Sequence, residues 1–146
     1  MKRSERFRKF SEISSGLENN AGAKLAASQT QLDAQKKQLG ELKTYLGEYQ
    51  TQLQAKLNDS NSALVINGYQ QFISSLNGAI ALQTEIVRKG EGQVEELRKA
   101  WIEKRIEVSK YDQAADNFRL QEDAQRNKAE QAENDDRISS NYHSGK

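Results

Sequence analysis

The amino-acid sequence predicts an all-α protein, a long antiparallel coiled-coil hairpin made of two helices. Three observations predict this fold. Apolar residues recur at every seventh position in two separate stretches, a short polar segment lies between those stretches, and the chain contains no proline. A seven-residue repeat is typical of helices that bury a narrow seam against another helix. Since proline is absent, no residue forbids very long helices. We expect the hairpin over residues 1–138 and a disordered tail over residues 139–146.

The chain begins with a basic segment, residues 1–10, which carries five Lys and Arg side chains, one acid and two phenylalanines. Two interpretations stay open for this segment. It is either a contact surface for an acidic partner or the frayed start of the first helix.

The first helix is predicted over residues 3–57, and its seam rests on a column of leucines at every seventh position. A companion column is weaker because three of its members are polar. The leucine column is Leu25, Leu32, Leu39, Leu46 and Leu53, and the companion column is Ala21, Ser28, Gln35, Leu42, Tyr49 and Lys56. Upstream, Phe10 and Leu17 lie one position off the leucine column, which predicts a stutter or a change of packing angle there.

A turn is predicted over residues 58–67, because residues 58–62 read Asn-Asp-Ser-Asn-Ser. Such side chains bond to their own backbone and compete with helix formation. Either Ser60 or Ser62 is expected to cap the following helix.

The second helix is predicted over residues 68–134 and has the more continuous seam. Its main column is apolar throughout, and its companion column is mixed. The main column is Ile73, Ile80, Val87, Val94, Trp101, Val108 and Ala115, and the companion column is Leu76, Gln83, Gly90, Leu97, Lys104, Tyr111 and Phe118. A short turn between two long seams implies antiparallel pairing of residues whose numbers add up to about 122. The glycines within both helices are interpreted as tolerated.

No constellation of catalytic or metal-binding residues is recognisable. The chain has no cysteine, a single histidine near its end and a net charge of +1. These features disfavour thiolate metal sites, catalytic triads and general attraction to nucleic acids or acidic membranes. No stretch resembles a secretory signal or a transmembrane helix. We therefore expect a cytoplasmic, non-enzymatic protein with no cofactor, no nucleic-acid partner and no integral membrane segment.

Two aromatic side chains, Tyr45 and Phe72, lie one residue before a seam column. At such flanking positions of an antiparallel pair, side chains of both helices share one edge. The edge stripe predicted from helical spacing consists of Gln38, Leu42, Tyr45 and Tyr49 on the first helix and Phe72, Leu76, Ala79 and Gln83 on the second. Apolar, aromatic patches of this kind are common in protein contacts. The alternative interpretation is a broadened core.

Three segments resemble the FliJ family of flagellar type III export proteins. They are residues 42–49, Leu-Lys-Thr-Tyr-Leu-Gly-Glu-Tyr; residues 67–73, Asn-Gly-Tyr-Gln-Gln-Phe-Ile; and residues 99–101, Lys-Ala-Trp. The resemblance is clearest between residues 38 and 118. It implies a coiled-coil hairpin similar to the central stalk of rotary ATPases, peripherally associated with the inner face of the cell membrane at the flagellar base. A role in flagellum biogenesis, motility and chemotaxis follows from that family.

The resemblance also implies partners. The edge stripe would contact the cytoplasmic domain of the membrane export gate, although Gln83 stands where some members have histidine. The paired terminal ends would engage the ring of the export ATPase, and the protein would also meet the regulator of that ATPase and escort export chaperones. The residues expected at the ATPase ring are Arg3, Arg6, Phe7, Arg8, Phe10, Tyr111 and Phe118.

Three alternatives stay open. The chain could be the equivalent stalk protein of a virulence type III secretion system, which would share fold and mechanism. It could be a generic coiled-coil adaptor that holds two proteins apart and stimulates no ATPase. A nucleic-acid-binding helical arm would need a basic stripe along the hairpin, and the basic residues cluster only within residues 2–9.

Overall fold

A computed structural model describes residues 1–59 and 62–144, and these form two long helices. Helix α1 covers Arg3–Asn58 and helix α2 covers Ala63–Ser144. The described residues contain no β-strand. The predicted fold class, an all-α hairpin of two helices, is confirmed.

The connection between the helices is shorter than predicted, because α2 begins at Ala63 and not near residue 68. Ser62 caps this helix: its Oγ accepts a hydrogen bond from the Val65 backbone N–H at 3.4 Å. Its carbonyl oxygen accepts the Ile66 N–H at 3.2 Å and closes the first turn. A serine in this position satisfies a backbone donor that the helix leaves unpaired. The other predicted cap, Ser60, lies outside the described residues.

The second helix also ends later than predicted. It continues through residues 135–144, where the sequence predicted a helix end near 134 and a disordered tail from 139. The physical reason is that residues 93–144 contain neither proline nor glycine, so no residue in that stretch breaks the helix. Residues 145–146 of the predicted tail lie outside the described part of the chain.

The chain divides into two compact units, although each helix runs through both. The turn unit is formed by residues 21–100. The terminal unit is formed by residues 1–20 together with the part of α2 from Trp101 onward.

The turn unit buries the two predicted columns of each helix. Its core consists of Leu32 (3% exposed), Val87 (8%) and Val94 (5%), with Leu25 and Leu39 packed against it. Every column residue of this unit is buried or half-buried. Burying a side chain of this size stabilises a fold by roughly 1.5–3 kcal/mol.

Two contacts in the turn unit agree with the predicted antiparallel register. A Cβ placed on Gly90 would lie 3.1 Å from Leu32 Cδ1, and the rings of Tyr49 and Phe72 lie 4.4 Å apart. In both pairs the residue numbers add up to about 122, as antiparallel pairing around the turn requires.

The terminal unit has a more polar seam than the sequence predicted. Buried at its centre are Ser4 (7% exposed), Ser11 (8%) and Ser14 (5%), and Ala115 on α2 is 3% exposed. Small hydroxyl side chains allow close helix approach, provided that each finds a hydrogen-bond partner.

The stutter predicted near the start of α1 is absent from the described residues. Ser4 and Ser11 continue the leucine column at intervals of seven without a break. Phe10 and Leu17, on which the stutter prediction rested, lie beside the seam with 42% and 46% of their surface exposed. The prediction was wrong because it assumed that the seam residues must be apolar.

Candidate protein-binding surfaces

The turn unit exposes two large aromatic side chains beside its seam. Tyr45 is 50% exposed and Phe72 is 45% exposed. The Phe72 ring packs against Tyr49 with an interplanar angle of 43°, and the Tyr49 ring lies 6.1 Å from that of Tyr69. Tilted ring pairs at such distances are favourable. Phe72 is therefore held in place on one side while its remaining surface faces solvent.

These aromatic residues line a shallow, largely apolar cavity of about 240 Å³ in the turn unit. Its walls are Tyr49, Val65, Gly68, Tyr69 and Phe72. Because Gly68 has no side chain and a Cβ there would touch nothing within 4 Å, the floor of the cavity stays open. The cavity therefore presents apolar surface to solvent beside Phe72.

The structure places the other members of the predicted edge stripe at different depths. Gln38 is exposed, and Leu42 and Ala79 are half-buried. By contrast, Leu76 is 8% exposed and Gln83 is 6% exposed, so both lie in the seam between the helices and not on the edge. Their positions in a companion column require this, because such columns face the partner helix.

Two exposed apolar residues extend the edge and were missed by the sequence analysis. Leu82 is 72% exposed and Ile86 is 43% exposed. They follow Ala79 at intervals of three and four, which places all three on one face of α2. Their spacing from Ala79 could have identified them in the sequence, but neither residue belongs to a seam column.

The terminal unit brings together five of the residues predicted to engage the ATPase ring. The ring of Phe7 stacks on Phe118 at 5.3 Å and lies 6.3 Å from Tyr111 and 5.7 Å from Phe10. The Arg3 guanidinium carbon lies 5.5 Å from the centre of the Phe118 ring. A cation over an aromatic face is attracted to it.

The remaining two predicted residues, Arg6 and Arg8, are exposed on α1. The terminal unit therefore presents a partly exposed aromatic cluster and exposed arginines on the α1 segment that carries Phe7 and Phe10. Arginine and aromatic residues are enriched in protein interfaces.

Two carboxylates of α2 bind serines of α1 within the terminal unit. Glu122 accepts the Ser4 backbone N–H at 3.2 Å and the Ser4 hydroxyl at 2.6 Å, and Asp112 accepts the Ser11 hydroxyl. The hydrogen bond from the Ser4 hydroxyl lowers the pKa of Glu122, with a smaller contribution from the backbone bond. Glu122 thus caps the beginning of α1 from the neighbouring helix, where a negative charge is favourable.

Farther along the terminal unit, one arginine joins both helices. The Arg105 guanidinium lies 4.8 Å from the centre of the Trp101 ring, and its Nε is 3.7 Å from Glu18. This arrangement leaves Trp101 packed under a cation and half-buried.

Neither a metal centre nor a membrane span is found in the described chain. Across residues 1–59 and 62–144, no three His, Cys, Asp or Glu residues are grouped so as to hold a metal ion. Over the same ranges, neither helix has a stretch long and apolar enough to cross a membrane.

Comparison with known families gives a match that covers nearly the whole chain. The sequence model of the family described as "Flagellar FliJ protein" matches residues 3–146. The comparison with curated proteins found no match, and the comparison with solved structures found none. The family is a non-catalytic component of the flagellar export apparatus. Because the match spans nearly the whole sequence and both helices, the chain belongs to the flagellar FliJ protein family.

Proposed function

We propose that this chain acts as a stalk-like coiled coil in flagellar protein export, where it links the export ATPase to the export gate. The terminal unit engages the ATPase ring, and the edge of the turn unit contacts the cytoplasmic domain of the gate. Family membership supports a role in export, and the resemblance in sequence suggests these two partners. The observation that carries the proposal is the exposure of Tyr45 and Phe72 beside the seam.

The exposed edge has the chemistry of a transient protein interface. Tyr45 and Phe72 are each about half accessible, so a partner that covered them would remove apolar surface from water. Full burial of a large apolar side chain contributes roughly 1.5–3 kcal/mol. A few such residues are enough to dominate an interface. The cavity beside Phe72 adds a place where a partner's side chain can insert.

The side chains of the terminal unit are suited to binding an acidic surface of a partner protein. Arg3 lies over the Phe118 ring of the aromatic cluster, Arg6 and Arg8 are exposed on the same helix segment, and Phe10 is 42% exposed. Positive charge around an apolar centre increases the association rate with an acidic surface and orients the complex. We assign this surface to the ATPase ring. The same proposal includes an interaction with the regulator of the ATPase and the escort of export chaperones. It also includes a peripheral location at the cytoplasmic face of the membrane.

The experiment that tests the gate contact is a double substitution, Tyr45→Ala with Phe72→Ala, in the full chain. We expect binding to the cytoplasmic domain of the gate to fall at least tenfold, measured by calorimetry or interferometry. Helix content and melting temperature should change little, because both side chains lie outside the seam columns.

The chain offers a matched control in Ile102→Ala with Ile106→Ala. These side chains are 42% and 49% exposed, similar to Phe72 and Tyr45, but they lie in the terminal unit. The control should bind the gate domain as the parent does. Equal binding by the Tyr45 and Phe72 variant and the parent would contradict the proposed gate surface.

A further inference from the structure

The leucine column of α1 cannot by itself select one pairing register with α2. Leu25, Leu32, Leu39, Leu46 and Leu53 are identical residues at identical intervals. A shift of one heptad would place each leucine where its neighbour was, so the leucine column itself looks the same before and after the shift. Register must therefore be specified by positions whose partners differ from one heptad to the next.

One layer of the turn unit has this property, and it consists of Gln35, Gln83 and Gly90. The Gln83 side-chain Nε2 donates to the Gln35 backbone carbonyl at 3.0 Å, and Gln83 is 6% exposed. The Gln35 side-chain Oε1 is itself buried and accepts no hydrogen bond from any residue that the structure describes. It sits against Gly90, where an added Cβ would approach it to 2.6 Å.

Gly90 thus lies at a close approach, where an added Cβ would meet the ends of the Gln35 and Leu32 side chains. An added Cβ at Gly40, Gly47, Gly78 or Gly92 would have no neighbour within 4 Å. Any side chain at this position would displace the buried amide of Gln35. The interpretation of Gly90 as a tolerated helix glycine did not include this contact.

We infer that the layer of Gln35, Gln83 and Gly90 locks the register of α1 against α2. Both one-heptad shifts break the layer. In one shift, Gln83 occupies the place of Gly90 and collides with the Gln35 amide. In the other shift, Leu97 occupies the place of Gly90, and Gln83 no longer donates a hydrogen bond to the Gln35 carbonyl. Gln83 is therefore a positioning residue. The pairing register of α1 with α2 that it fixes brings Tyr45 and Phe72 to a common edge. The inference concerns pairing within the chain and does not depend on any partner.

The test exploits the absence of native cysteines. Spin labels are attached at Gln50→Cys and Lys99→Cys, both exposed positions of the turn unit, and their separation is measured by pulsed electron resonance. Gln50 and Lys99 lie far apart along the hairpin, so a shift of one heptad changes their separation by about 10 Å, since each helical residue rises 1.5 Å.

In the parent background we expect a single distance. With Gln35→Leu and Gln83→Leu together, leucine replaces both glutamines of the layer and their hydrogen bond is lost, and we expect a second population displaced by about 10 Å. Helix content should be retained, so the second population will not reflect unfolding. Ser28→Ala is the matched control, because it removes another buried polar side chain (8% exposed) of the same unit, and it should keep the single distance.

A second pair of variants covers the case in which the double leucine variant fails to fold. Gly90→Ala should broaden the distance distribution, because its methyl group collides with the Gln35 amide, and adding Gln35→Ala should restore the parent distance. A single parental distance in the double leucine variant overturns the inference. An unchanged distribution in Gly90→Ala also overturns it.

Discussion

Phe7 is the central residue of the aromatic cluster, and its replacement tests how the terminal unit is held together. Its ring contacts those of Phe10, Tyr111 and Phe118 at centroid distances between 5.3 and 6.3 Å. Truncating a fully buried phenylalanine to alanine costs about 3–5 kcal/mol. Because Phe7 is only half-buried, we expect Phe7→Ala to destabilise the terminal unit by about 2–3 kcal/mol, including the loss of ring contacts.

The assay is native-state amide hydrogen exchange of residues 4–14, which reports local opening separately from global unfolding. A loss of 2–3 kcal/mol accelerates exchange by about 30- to 150-fold, since each 1.4 kcal/mol is a factor of ten. Leu17→Ala is the control, because Leu17 is 46% exposed beside the seam and should change exchange only slightly. If Phe7→Ala and Leu17→Ala accelerate exchange equally, the cluster does not hold α1 and the reasoning fails.

Three further predictions concern other features. The pKa of Glu122 is lowered by its bonds to Ser4, so this contact stabilises the folded state above the ordinary carboxyl pKa and is lost as pH falls through the lowered value. The protection of amides near Ser4, measured relative to their intrinsic exchange rates at each pH, should therefore decrease in acid, and Glu122→Gln should remove that loss of protection. Deleting residues 1–10 should reduce stimulation of the export ATPase at physiological salt; a generic adaptor would show no stimulation to lose. Leu32→Ala should cost about 2–5 kcal/mol in denaturant unfolding, whereas Leu64→Ala, at a side chain 82% exposed, should cost under about 0.5 kcal/mol; equal costs would refute the assigned core.

The seam of the turn unit was predictable because leucine and β-branched residues recur there at a fixed interval. Leu32, Val87 and Val94 are buried as the columns require. The same rule placed Gln83 in a companion column, and the structure does bury it. Assigning Gln83 to the exposed edge followed from helical spacing, with the family resemblance in agreement, and conflicted with its place in the column.

The α1 side of the seam in the terminal unit was not predictable from apolar residues, whereas the columns of α2 were. Ser4 and Ser11 are buried, and their hydroxyls donate hydrogen bonds to Glu122 and Asp112 of α2. Such pairs lie more than a hundred residues apart in sequence, so the interval pattern of one helix does not contain them. Because Phe10 is exposed beside the seam, a seam drawn through this apolar residue lies on the wrong face of α1.

The helix ends were also set by features that a periodicity does not record. Ser62 caps α2 through its hydroxyl and its carbonyl oxygen, which begins the helix before its seam. At the other end, the absence of helix-breaking residues carries α2 beyond the last seam residue.

The last part of α2 has consequences for how the chain responds to its surroundings. From residue 124 to residue 142 every described side chain is exposed, so no buried apolar face contributes to its order. Its helix relies on backbone hydrogen bonds and on local ion pairs such as Arg137 with Glu133, 3.4 Å apart. A polar helix of this length lies close to the helix–coil midpoint in water. Salt and temperature should therefore melt this segment gradually, ahead of the cooperative unfolding of the seams, and proteases should cleave here first.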